Sequence, residues 1–172
     1  MGVYFLKKLE QESSKSVFES FDLFIGTSAG ATNALLLGMN GLKISDLEKF
    51  WTVDNLKKIM NQSFIDKTSI FQTRPKYSNE GKKKILQTFF EDRKIGQSLK
   101  PVVVTAYDLE ARKPILLSSY GDPEVTAVNA ANASSAAPIY FPTASMEDGR
   151  WLIDGGIATN NPSLLGYVEA KK

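Results

Sequence analysis

The 172-residue sequence contains no cysteine and no histidine. Without cysteine it has no disulfides and no thiolate metal sites, and without imidazole it lacks the usual zinc ligands as well. The same absence excludes a Ser-His-Asp triad, because a serine hydroxyl needs a base and the customary one is missing. No apolar run reaches the roughly 20 residues that span a bilayer. Neither sign of charge dominates: 21 basic against 19 acidic residues leave a net +2, which gives no general attraction to nucleic acid.

What is present suits a single domain of about 100–200 residues, and 42% of the side chains are hydrophobic. Residues 3–12 read as an amphipathic helix with Val3, Phe5, Leu6 and Leu9 on its apolar side. Phe21 to Ile25 form a short apolar run, a buried strand ending at Gly26, and a helix opens directly after Ser28 with Ala29, Gly30 and Ala31. Ser45 and Glu48 have capping-box spacing ahead of a further helix. Residues 61–79 read as loop, and 80–91 as a helix with Ile85, Leu86, Phe89 and Phe90 on one face. The run Lys82-Lys83-Lys84 reads as a solvated face, so no buried lysine stands out near the serine.

Pro101 to Asp108 is a branched run typical of a strand covered on both sides, and 114–118 is a second strand. A helix over 124–133, a strand at 151–153 and a final helix from Pro162 to Ala170 complete the order. Alternating strands and helices predict an α/β fold in three layers, α/β/α, around a mainly parallel central sheet.

Two short motifs carry chemistry. Gly26-Thr27-Ser28-Ala29-Gly30 follows a strand and opens a helix, the setting in which a Gly-x-Ser-x-Gly turn exposes a nucleophile. The helix N-terminus beneath it offers N–H groups to a developing oxyanion. Asp154, at the end of a strand and followed by Gly155 and Gly156, is the leading partner for Ser28. It must come within about 2.6–3.2 Å to take the serine proton. An Asx-type turn is the competing role for it. Asp108, also at a strand end, is the rival carboxylate.

These motifs resemble the patatin-like phospholipases, lipid acyl hydrolases that use a Ser-Asp dyad. The match extends to Tyr107-Asp108-Leu109, to the run from Ala133 to Pro142, and to Asn160-Asn161-Pro162. The resemblance implies that Ser28 is the nucleophile and Asp154 the base. It further implies that Gly26, Ala29 and Gly30 build the elbow, that Gly155 and Gly156 shape the aspartate loop, and that no cofactor or metal is needed. The expected partner is a phospholipid or other acyl ester, met at a membrane only peripherally by a cytoplasmic protein, with no nucleic acid involved. An acyl chain would lie in a groove lined by residues from 50–90.

The chain departs from the family pattern in two places. Asn132 stands where an arginine is usual, and the opening Met1-Gly2-Val3 resembles the segment just after the family's glycine-rich oxyanion loop, with Gly2 as the last glycine of that loop. The expectation is therefore a single partial patatin-like domain over 1–172 that lacks this loop. Two alternatives share the motifs: a catalytically impaired domain that binds lipid or a protein partner, and a serine acyltransferase.

Overall fold

The computed structural model describes residues 2–61 and 75–172. Eight α-helices and five strands follow one another along them: α1 (Gly2–Ser13), α2 (Val17–Ser20), β1 (Phe24–Gly26), α3 (Ala29–Asn40), α4 (Ile44–Phe50), α5 (Val53–Ile59), α6 (Asn79–Phe90), β2 (Val102–Asp108), β3 (Lys113–Ser118), α7 (Ala127–Ser134), β4 (Ala144–Ser145), β5 (Trp151–Asp154) and α8 (Ser163–Glu169). Among the described residues, no helix is long and apolar enough to cross a membrane.

Strand β2 is the centre of the sheet. Along one edge, Val103–Asp108 pairs antiparallel with β3. The opposite edge is shared. Strand β1 runs parallel to the first half of β2, setting Gly26 beside Val104. Strand β5 runs antiparallel to the second half, setting Asp154 beside Ala106. The two therefore meet end to end, both C-termini directed at Thr105, and β4 adds on beyond β5. Six of the seven residues of β2 are buried, which explains its run of branched side chains.

This sheet corrects the expectation of a mainly parallel one in three layers. Among the described residues only the β1–β2 pair is parallel; β2–β3, β2–β5 and β4–β5 are antiparallel. Connection length decides two of these pairings. Residues 109–112 join β2 to β3 and 146–150 join β4 to β5. A parallel crossover takes a dozen residues or more, so links this short close as hairpins.

Helices α3 and α7 touch each other as well as β2, so together they cover one face of the sheet. Their small residues make that fit close: Ala31, Ala127, Ala130, Ala131 and Ala133 are fully buried. Helix α3 stops at Gly41, whose φ of 59° suits a left-handed cap, with its N–H on the Leu37 carbonyl. The aromatic face expected on α6 is core, with Phe90 buried and Phe89 edge-on to Phe50 at 5.1 Å. The capping box expected at Ser45 and Glu48 does not form. Helix α4 starts two residues earlier, at Ile44 with Lys43 as its N-cap, and Glu48 pairs with Lys7 of α1 at 2.8 Å. A capping box forms instead at Ser16 and Glu19, ahead of α2. Most of the segment read as loop over 61–79 lies outside the described residues.

Leu35 is fully buried on α3, whereas Leu99 is 66% exposed before β2. Leu35→Ala should cost about 2–5 kcal/mol, and Leu99→Ala no more than about 0.5 kcal/mol. Urea unfolding of both variants checks the placement of the core.

Candidate active site

Only Thr27 and Ser28 separate the end of β1 from the start of α3. So sharp a turn drives backbone against backbone. A Cβ on Gly26 would lie 2.2 Å from the Gly30 carbonyl oxygen, so this position admits glycine alone. Gly30 itself faces open space, so the second glycine of the motif is not required for clearance. Ser28 sits at φ 56°, ψ −122°, a conformation costing about 1–3 kcal/mol for a residue with a Cβ. Its neighbours hold it there. Its N–H donates to the buried Ser134 Oγ at 3.0 Å, and its carbonyl accepts from the Ala31 and Thr32 N–H groups at 3.0 and 3.3 Å.

The abutting strands bring Asp154 to this serine. The Ser28 hydroxyl donates to Asp154 Oδ2 at 2.7 Å across 126 positions of sequence. The other carboxylate oxygen, Oδ1, accepts from the Gly156 N–H at 2.7 Å, and the Asp154 N–H donates to the Ala136 carbonyl at 3.1 Å. One oxygen of Asp154 thus closes an Asx-type turn, and the other faces the serine. Asp108 is the purely structural carboxylate. Its Oδ1 accepts the N–H groups of Glu110 and Ala111, both at 2.9 Å, and so folds the hairpin between β2 and β3.

Thr105 fastens the junction. Its hydroxyl lies 2.8 Å from that of Thr27, and Thr27 donates to the Thr159 carbonyl at 2.8 Å. A hydroxyl has one proton, so Thr105 must be the donor to Thr27. On the other side, Gly155 rests on Thr105 so closely that a Cβ would fall 2.2 Å from the Thr105 hydroxyl oxygen. A Cβ on Gly156 would press on Asp154 Oδ1 at 3.0 Å.

In the first turn of α3, the N–H groups of Gly30 and Ala31 are bonded to the Thr27 and Ser28 carbonyls. The exposed Ala29 N–H has no partner among the described residues, and it lies at the positive end of a 12-residue helix. Beside the elbow opens a groove of about 600 Å³, lined by Phe5, Leu6, Val17, Leu23 and Phe24, together with Gly26, Thr27 and Gly30. Gly2 also borders this groove, but no heavy atom lies within 4 Å of where its Cβ would stand. The apolar lining comes from α1, α2, β1 with the preceding Leu23, and Ala34 and Leu37 of α3. Within the 50–90 stretch expected to supply it, residues 62–74 lie outside the described residues.

The sequence reading missed Lys82. It is 4% exposed, while Lys83 and Lys84 face solvent. Its ammonium donates to the Ser135 carbonyl at 3.0 Å, the Ser135 hydroxyl at 3.3 Å and the Asn132 carbonyl at 3.4 Å, and it lies 4.1 Å from the centre of the Phe141 ring. Burial pulls its pKa down to about 7, against the opposing pull of the Asp154 charge. The signal was there in the spacing. Lys82, Ile85, Leu86 and Phe89 follow i, i+3, i+4, i+7, which puts the lysine on the inward stripe of α6.

The elbow and the buried lysine each make a stability prediction. Gly26→Ala should collapse the elbow and lower stability by at least about 2 kcal/mol, while Gly30→Ala leaves the fold intact; urea titration of both decides. For Lys82, the folded pKa lies below the ordinary value of 10.5. Between those values the unfolded chain holds a proton that the folded chain has released. Stability should therefore rise as pH climbs from about 7 toward 10.5 and lack that gain below 7. Unfolding curves across this range should show the slope in the native chain and lose it in Lys82→Met.

The family model described as patatin-like phospholipase matches residues 2–165. Patatin-like protein 2 of Arabidopsis thaliana is 31% identical over 188 residues, covering 95% of this chain and 46% of the relative. The cGAMP-activated phospholipase of Pseudomonas aeruginosa is 29% identical over 172 residues, covering 96% of this chain and 51% of the relative. Among solved structures, VipD from Legionella pneumophila aligns over 94% of this chain and 45% of its own, with a TM-score of 0.66 at 15% identity, a likeness of fold. The chain spans about half the length of these relatives. With a matching family model along nearly its whole length, the chain belongs to the patatin-like phospholipase family.

Proposed function

We propose that this chain contributes a lipid acyl hydrolase site in which Ser28 is the nucleophile and Asp154 the base. The observation that carries the reading is the 2.7 Å hydrogen bond from the Ser28 hydroxyl to Asp154 Oδ2, formed at a strand–turn–helix elbow. Family membership supports lipid esters as the substrate class.

The reaction runs in two halves. Ser28 Oγ attacks the ester carbonyl carbon while its proton passes to Asp154 Oδ2. The negative charge gathers on the carbonyl oxygen, where the free Ala29 N–H and the α3 dipole stabilise it. As the C–O bond breaks, Asp154 returns the proton to the departing alcohol oxygen, leaving the acyl group on Ser28. Water then gives a proton to the same carboxylate and attacks the acyl carbon. The serine recovers its proton and the fatty acid leaves. The apolar groove beside Gly26, Thr27 and Gly30 supplies a surface for the acyl chain. Transfer of the acyl group to an alcohol instead of water would use the same first half, and product analysis separates the two outcomes.

Fatty-acid release from phosphatidylcholine vesicles tests this reading. Ser28→Ala and Asp154→Asn should each lower the rate by at least about 10³-fold without loss of fold by circular dichroism. Full activity in either variant would contradict the dyad.

A further inference from the structure

The five residues from Asn132 to Ala136 link parts of the site that are distant in sequence. The Ser134 hydroxyl receives the Ser28 N–H at 3.0 Å, and the Ala136 carbonyl receives the Asp154 N–H at 3.1 Å. One short strap at the end of α7 therefore fixes the backbone of both members of the pair. Lys82 reaches that strap from α6, through the carbonyls of Asn132 and Ser135 and the Ser135 hydroxyl.

We propose that Lys82 is a positioning residue for the Ser28–Asp154 pair, its ammonium clamping the end of α7 so that the strap holds both backbones in register. The proposal rests on the dyad reading for its catalytic consequence, but the clamp itself stands on the hydrogen bonds alone.

Three observations carry it. An ammonium has three protons, and here three oxygens converge on it. Two of them are carbonyls at the C-terminal end of a helix, where the dipole favours a cation. The Phe141 ring, 4.1 Å away, covers the ammonium with its electron-rich face. A buried lysine without such partners would be expelled or would lose its charge.

Protonation of Lys82 links the clamp to pH. Among the described residues, two charged groups act on it. Asp154, beyond the strap, favours the ammonium, and Lys83, on its own helix, opposes it. Helix α7 carries no charged side chain, and Asp54, Lys57 and Lys58 of α5, the other helix packed on α6, are exposed. With its pKa brought down to about 7, Lys82 holds its proton below neutrality and releases it above. Turnover should therefore decline as pH rises through about 7, the clamp loosening as the ammonium becomes a neutral amine.

The test compares the native chain with Lys82→Met and Lys82→Arg by two readouts. The first is amide hydrogen exchange. In Lys82→Met the amides of Ser28 and Asp154 should exchange at least about tenfold faster while those of β2 stay protected. The second is hydrolysis of a short p-nitrophenyl ester against pH. In Lys82→Met kcat should fall at least about tenfold at pH 6.5 with KM nearly unchanged. In Lys82→Arg, permanently charged, much of the activity should return and the decline near pH 7 should vanish. Unchanged exchange at both amides together with native turnover in Lys82→Met overturns the proposal. Should that variant not fold, Lys82→Arg decides, and a decline near pH 7 persisting in it is equally fatal. A native chain that hydrolyses no ester counts against the dyad reading, and the exchange comparison then judges the clamp by itself.

Discussion

Thr105 occupies the one position on its edge of β2 that neither β1 nor β5 pairs, and the site depends on what happens there. Strands entering from opposite ends of one edge have nowhere to continue, so each must turn out of the sheet at the same point. Strand β1 turns into α3 and leaves Ser28 at the corner. Strand β5 turns into a single tight 3-10 turn, Gly155–Ile157, and leaves Asp154 there. The Thr105 hydroxyl fastens one corner through Thr27, and its backbone admits only glycine at the other. The serine and the carboxylate meet because two strand ends compete for one stretch of edge.

Holding them there carries a cost, which the surroundings offset. Ser28 has a backbone conformation that a residue with a side chain rarely adopts, and its N–H and carbonyl are both tied down. The Asp154 N–H and both carboxylate oxygens are likewise occupied. Satisfaction of this kind is what allows a polar pair to stay ordered at the edge of an apolar core. Beneath it, the alanine-rich contact between α3 and α7 lets the strap approach the elbow closely, and Lys82 closes the arrangement from the far side.

Much of this is legible in the residues. The apolar run before Gly26 and the small residues after Ser28 locate the elbow, and the strand ending in Asp154-Gly155-Gly156 locates its partner. The branched run at 102–108 reads as a strand buried on both faces, and it is one. Its direction relative to its neighbours does not emerge from the alternation of strands and helices. For β3, connection length carries that information, since four residues between Asp108 and Lys113 leave room only for a hairpin. The two glycines of the elbow look equivalent in sequence, but only Gly26 meets backbone. Lys82 is hidden by its company. In a run of three lysines, only helical phase tells which one points inward, and that phase is carried by Ile85, Leu86 and Phe89.

The most direct measurement is reaction of the native chain with a fluorophosphonate probe, followed by intact mass and peptide mapping. A serine made nucleophilic by its carboxylate partner should give a single adduct, carried on the peptide containing Ser28 and absent from Ser28→Ala. A folded chain that takes up no probe, or that carries it on another serine, would contradict the claim that the meeting of β1 and β5 activates Ser28.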